Sequence, residues 1–285
     1  MTSALNTVVQ WDAESIWQAV MALAQERADT RLAGFNVEVL PSIDSTNTEL
    51  MRRARAGQLE PTLLVAEHQS AGRGRLGRHW ESAQGSLAGG SLTFSLGMLV
   101  SPHTWYGLSL AVGVSVAQNI AGTALAAPIQ LKWPNDLWWQ DRKLAGILIE
   151  TVHIPQNTPA QPATQEGNPR YVVIGVGVNI APRSVDGLST PPAWLQELQP
   201  GTTAAQALGR VAAPLLRDVL EFEAHGFGAF ASRYAARDAL RGRHVAVSDG
   251  QQGLVTGVDD RGMLLVQTAQ GVQRIASSEV SVRPV

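Results

Sequence analysis

The sequence predicts an α/β chain that ends in a small all-β unit. Strand-like apolar runs alternate with helical stretches from residue 12 to residue 239. After Leu240 only short strands remain, separated by Gly-rich or polar turns. The chain has 285 residues, 45% of them hydrophobic and 16% charged, which fits one large domain plus a small one.

The elements follow in order. Residues 12–28 read as an amphipathic helix with Ile16, Val20, Leu23 and Ala24 on one face and Asp12 as its cap. Residues 36–40 alternate as a strand does, and Ser45 or Thr46 caps a helix over 49–54. Residues 62–66 and 91–96 are strands on either side of a Gly-Arg loop. Residues 107–125 form a core helix, too broken by Ser109, Ser115, Gln118, Asn119 and Thr123 to be a membrane span. Residues 129–133 are a strand stopped by Pro134, with a turn at Asn135-Asp136. Residues 143–150 and 171–179 form two more strands, paired as a hairpin. The Pro-, Gln-, Asn- and Thr-rich stretch 155–170 between them reads as a mobile surface insertion. Residues 203–239 are helical, with a break at Pro214. Strands at 244–247, 253–258, 263–267 and 272–276 build the terminal β unit. The division is 1–35 (N-terminal helical segment), 36–240 (main domain) and 241–285 (C-terminal domain).

Composition narrows the class. The net charge of −2 does not favour a protein that coats DNA or an anionic membrane. Cysteine is absent, which removes disulfides, thiolate nucleophiles and Cys zinc sites. No signal peptide or spanning segment is visible, so a cytoplasmic location is expected.

Two segments carry the chemistry. Residues 72–78, Gly-Arg-Gly-Arg-Leu-Gly-Arg, combine three glycines with Arg73, Arg75 and Arg78. Such a loop presents backbone N–H groups and guanidinium forks to an anion, or is simply a solvated basic turn. It matches neither a Walker A loop nor a dinucleotide-binding fingerprint. Residues 132–136, Lys-Trp-Pro-Asn-Asp, hold one of only two lysines, the other being Lys143; the remaining 20 basic residues are arginine. Lys132 is expected to point into a partly buried pocket as a point charge for a carboxylate or phosphate. Gly175 and Gly177 weaken an apolar strand unless something approaches closely, and Asn179 ends that strand with a polar group. Trp80 either lids a pocket or packs in the core. Glu150 reads as a strand-end carboxylate. The six histidines show no metal-ligand spacing.

These blocks, in this order, resemble the biotin protein ligase family: Ser45-Thr46-Asn47, then residues 67–71 running into 72–78, then 132–136 continuing to 143–147, then 175–179. The resemblance spans roughly residues 40–180. It implies a mixed β-sheet flanked by helices, related to class II aminoacyl-tRNA synthetases, with a small C-terminal SH3-like β-barrel. It implies a two-step reaction using ATP, biotin and Mg²⁺. Biotin is activated as biotinyl-5′-AMP and then passed to a lysine of a partner, the biotin carboxyl carrier protein of acetyl-CoA carboxylase. On this resemblance the catalytic residues are Lys132, Arg75 and Arg78. Biotin falls to Ser45, Thr46, Asn47, Gln69, Gly72, Arg73 and Lys132. The adenylate falls to Arg73, Arg75, Arg78, Trp80, Lys132, Asn135 and Asn179, with Trp80 near adenine and Mg²⁺ near Asn179. Leu76 stands where many family members carry another arginine, which implies a slightly weaker hold on the intermediate. Residues 86–95 are richer in glycine than the family's pocket wall. The family's N-terminal winged helix is not evident, so ligase activity without DNA or membrane partners is expected. The alternatives are a lipoate-protein ligase and a biotin-binding regulator.

Overall fold

The computed structural model describes residues 10–81, 89–121, 128–153, 169–183, 190–248, 250, 252–276 and 282–284. The first helix, α1 (Ala13–Arg27), begins where Asp12 accepts a hydrogen bond from the Ser15 backbone N–H. It buries Ile16, Val20, Leu23 and Ala24, the face that the spacing predicts. Strand β1 (Asn36–Ile43) leads to α2 (Thr46–Arg55), capped by Ser45. Then follow β2 (Thr62–Gln69), β3 (Ser91–Val100), α3 (Leu108–Asn119), β4 (Gln130–Lys132), β5 (Asp136–Trp139), β6 (Arg142–His153) and β7 (Arg170–Asn179).

These strands form one seven-stranded sheet in the order β1-β2-β3-β7-β6-β5-β4. β1 and β2 are parallel and every other pair is antiparallel, so the sheet is mixed. Its two faces bury different partners. Leu63, Val65, Val172 and Ile174 belong to the large core, together with the apolar faces of α1, α3 and the long helix over Ala204–His225. Leu64, Tyr171 and Val173 point the other way, onto Leu50, Met51 and Ala54 of α2. Burial on both faces explains why β7 reads as a near-continuous apolar run rather than an alternation.

A short α4 (Leu195–Leu198) precedes α5 (Ala204–His225) and α6 (Ala231–Ala235). The break expected at Pro214 does not occur; α5 runs through it. Proline costs a helix interior about 3 kcal/mol, which burial of Val211, Ala212, Leu215, Leu216 and the rest of that face offsets. The core helix is also shorter than expected. It ends at Asn119, and residues 122–127 lie outside the described residues. The insertion expected at 155–170 lies outside them too, except for its last two residues. Pro169 is buried and Arg170 opens β7.

The C-terminal strands β8 (His244–Val247), β9 (Gln252–Val258), β10 (Leu264–Thr268), β11 (Gly271–Ile275) and β12 (Val282–Pro284) make a separate antiparallel sheet, ordered β11-β10-β9-β8-β12. Two strands were not expected from the sequence. β5 has four residues and β12 three, too few to display a period. Pro284 is tolerated because β12 is an edge strand. Val245, Val247, Val255, Leu264 and Val266 join the main hydrophobic cluster, so the two sheets share a core. Trp133, fully buried, donates its indole N–H to the Gly262 carbonyl at 3.1 Å across the junction.

Near this junction Asp238 accepts from the backbone N–H groups of Leu240 and Arg241 through Oδ1, while Oδ2 is buried without a partner. Burial raises the Asp238 pKa above its ordinary value. The ionised form is therefore penalised in the folded state at any pH above that raised pKa. The penalty fades as pH falls and is gone below the unfolded value of 3.8. Asp238→Asn should then stabilise the protein by about 1 kcal/mol at pH 7, and the gain should vanish near pH 3.5 in urea midpoints compared across pH.

Candidate active site

A cavity of about 120 Å³ lies between the start of α2, the 72–78 loop and the central strands. Its floor is Gly175 and Gly177 of β7 with Gly146 and Leu148 of β6. The two β7 glycines are there because side chains occupy the space a Cβ would need. At 175 it would overlap the Asn47 amide, and at 177 the six-membered part of the Trp80 indole. The close approach inferred from those glycines thus has two named causes.

One wall is a chain of hydrogen bonds. Gln69 Oε1 accepts from the Thr46 backbone N–H at 2.8 Å and from its hydroxyl at 3.1 Å. Ser95 Oγ lies 2.7 Å from both Thr46 Oγ1 and Asn47 Oδ1. Asn47 Nδ2 donates to the Leu148 carbonyl at 3.3 Å and to Glu150 Oε2 at 3.1 Å. Ser45, Thr46, Asn47, Gln69 and Ser95 are all buried. Buried polar groups are costly unless bonded, so this network holds one arrangement.

The loop forms the roof. Backbone bonds from Gly74 N–H to the Arg78 carbonyl and from Trp80 N–H to the Gly72 carbonyl close it on itself. Gly72 packs against the Trp80 backbone, where a side chain would collide. Arg73, Arg75, Arg78 and Trp80 line the cavity, and Leu76 at the tip is exposed in a left-handed conformation. Trp80 lies across Gly177 and Gly146, with its indole N–H buried and unpaired.

The far end is charged. Lys143 Nζ sits 2.7 Å from Asp136 Oδ1, and both line the cavity with Asn135. Asn135 donates to the Ile147 carbonyl at 2.8 Å and accepts from the Ile147 N–H at 2.9 Å, which fixes the turn against β6. Burial lowers the Arg75 pKa, opposed by the Asp136 charge. Arg75, Lys132 and Lys143 thus share Asp136 as a carboxylate neighbour in a partly dry site, and Arg78 adds a further positive charge near Arg75 and Lys132. Such a cluster has surplus positive charge for an anionic ligand.

The structure therefore gathers Ser45, Thr46, Asn47, Gln69, Arg73, Arg75, Arg78, Trp80 and Asn135 around one cavity. It does not bring Gly72, Lys132 or Asn179 to its wall. Lys132 lies behind Asp136, over the Trp138 ring at 5.5 Å, in an adjoining hollow of about 10 Å³. Burial lowers its pKa, with Asp136 pulling the other way. Asn179 is buried; its amide donates to the carbonyls of Lys143 and Ala193, and its oxygen accepts from Arg183. It holds the backbone of Lys143 in place. Sequence reasoning passed over Lys143 and Asp136 as site residues. Lysine is as rare at position 143 as at 132, and that rarity marks both in the sequence.

No three His, Cys, Asp or Glu side chains gather to cage a metal among the described residues. Asp136 is the carboxylate in the cavity wall. Asp136 is the oxygen donor there that would suit a hard divalent ion.

A small polar bed ending in a cluster of cations has the makeup of a site for a small polar molecule beside an anion. Known proteins narrow that class. Residues 39–179 match the Biotin/lipoate A/B protein ligase family, and residues 242–283 match the Biotin protein ligase C terminal domain. The bifunctional ligase/repressor BirA of Salmonella typhimurium is 34% identical, covering 94% of this chain and 81% of that protein. The biotin--[acetyl-CoA-carboxylase] ligase of Mycobacterium tuberculosis is 33% identical, over 86% of this chain and 88% of its own. The Aquifex aeolicus biotin protein ligase in complex with biotin and ATP superposes with a TM-score of 0.70 at 26% identity, covering 88% of this chain and 99% of that one. The chain belongs to the biotin protein ligase family.

Proposed function

We propose that the protein condenses biotin with ATP to biotinyl-5′-AMP and then transfers biotin to a lysine of a biotin carboxyl carrier protein. The observation that carries this is the union, in one cavity, of a neutral hydrogen-bonding bed and a cationic end. Relatives of similar length are biotin--[acetyl-CoA-carboxylase] ligases, which supports the carrier of acetyl-CoA carboxylase as the acceptor.

In the first step a biotin carboxylate oxygen attacks the α-phosphorus of ATP. The bond to the β-phosphate oxygen breaks and pyrophosphate leaves. Two anions must meet, so Arg75, Arg78 and Lys143 offset their repulsion. Thr46, Gln69 and the rest of the bed orient the ureido end, and Trp80, which the resemblance assigns to adenine, lies over the Gly146 and Gly177 floor and is taken instead as the side of the biotin pocket. Asp136 on the cavity wall would neighbour a magnesium ion bound to the triphosphate, which would neutralise part of its charge. In the second step the carrier amine attacks the acyl carbonyl, AMP departs and the amine loses a proton. The loop roof shields the mixed anhydride from water.

The net charge of −2 supports no nucleic-acid partner. Among the described residues no helix is long and apolar enough to cross a membrane. The test is biotin-dependent exchange of labelled pyrophosphate into ATP, beside a lipoate control. Exchange with biotin alone is expected. Exchange with lipoate alone would assign the other branch of the matched family, and biotin binding without exchange would make the protein a regulator.

A further inference from the structure

Glu150 is a carboxylate that the reaction above does not use. It was expected at a strand end, yet it sits inside β6, paired across the sheet with Val173 of β7. Its Oε2 accepts from Arg73 Nη1 at 3.0 Å and from Asn47 Nδ2 at 3.1 Å. It therefore touches the roof and the bed of the cavity at once.

We propose that Glu150 is a positioning residue that sets the direction of the hydrogen-bond chain in the bed and tethers the arginine loop above it. An ionised carboxylate can only accept. Asn47 must turn its Nδ2 towards Glu150, and the Leu148 carbonyl, also an acceptor, reinforces that choice. Asn47 Oδ1 then faces Ser95, which donates to it. Ser95 Oγ has one proton, so Thr46 Oγ1 keeps its own for Ser95 or for Gln69. Gln69 Oε1 already accepts from the Thr46 backbone, which leaves its Nε2 on the side of Gly72 and the loop. The direction set at Glu150 thus reaches Asn47 and Ser95, and the Thr46 backbone fixes Gln69 at the other end of the bed. The same carboxylate holds Arg73, whose side chain is 48% exposed. An ion pair this open contributes little to stability; its effect is on where the loop rests.

The inference rests on the ligase reading only in taking biotin as the probe, and one arm of its test needs no ligand. Glu150→Gln and Glu150→Ala are compared with the natural chain. Ligand-free trypsin cleavage after Arg73, Arg75 and Arg78 is followed by mass spectrometry. Biotin affinity comes from calorimetry, and kcat and KM come from the full reaction. Glu150→Gln keeps the shape but offers an N–H as well as an oxygen and carries no charge, so it no longer dictates the direction and holds Arg73 more weakly. It should speed loop cleavage about two- to fivefold and weaken biotin binding by a similar factor. The loss should appear in KM, with kcat and the thermal midpoint unchanged. Adding Arg73→Ala to Glu150→Gln should speed cleavage no further at Arg75 and Arg78. Unchanged cleavage and affinity in both Glu150 variants would overturn the proposal. So would losses that track a falling thermal midpoint, because those belong to a residue that merely supports the fold. If the natural chain binds no biotin, the ligase reading falls, and the cleavage arm still decides the tether.

Discussion

Lys143→Met should slow biotin-dependent pyrophosphate exchange by about a hundred- to a thousandfold, the usual cost of removing one pre-placed stabiliser of transition-state charge. Lys143 is the lysine on the cavity wall, 2.7 Å from Asp136 and beside Arg75 and Arg78. The fold should be nearly indifferent. The Lys143–Asp136 pair is partly exposed, and such pairs contribute about 1 kcal/mol or less. Methionine keeps the length of the stem while removing the charge. Lys132→Met should have a smaller effect, because Lys132 reaches the site through Asp136 rather than directly. Steady-state exchange rates on both variants, with urea midpoints as the control, decide the matter. A Lys143 variant that exchanges normally while the Lys132 variant is dead would return the central role to Lys132.

Gly177→Ala should weaken biotin binding by roughly thirty- to a hundredfold. One methyl at that position overlaps the Trp80 ring, and overpacking a filled site costs about 2–3 kcal/mol, where each 1.4 kcal/mol is tenfold in affinity. The same ring also rests on Gly146, the cross-strand partner of Gly177. The penalty should shrink when Trp80 is also replaced by alanine, because the methyl then enters vacated space. Calorimetry on the two single variants and the double variant measures that coupling directly. Additive losses would mean that Gly177 matters for some reason other than Trp80.

How much of this was legible in the sequence depends on the range of the information. Local signals held. Asp12 and Ser45 cap helices, and the apolar spacing of α1 names its buried face, because caps and periodicity act within a turn or two. The paired glycines of β7 announced a close approach, although not that Asn47 and Trp80 make it. What was hidden depends on strand register. β5 pairs with β6 through a bulge. Leu137 faces Ala145 and Trp138 faces Lys143, leaving Leu144 without a partner. A bulge re-aims side chains, and here it accompanies the turn of Lys143 towards Asp136. Nothing in the spacing from Lys132 to Lys143 shows that step. Asn179 illustrates the same limit. Its position at the end of an apolar strand is visible in the sequence, but its partners are the carbonyls of Lys143 and Ala193, on segments 36 and 14 residues away.

The bond from Trp133 to the Gly262 carbonyl has a bearing on modularity. The turn that carries Asn135 and Asp136 leans on the second sheet through a buried indole, and removing that sheet would leave both the indole N–H and the apolar faces around Val245 and Leu264 uncovered. The C-terminal unit is therefore less an appendage than a buttress for the cationic end of the cavity. A chain shortened at residue 240 would be a poor route to a minimal catalyst.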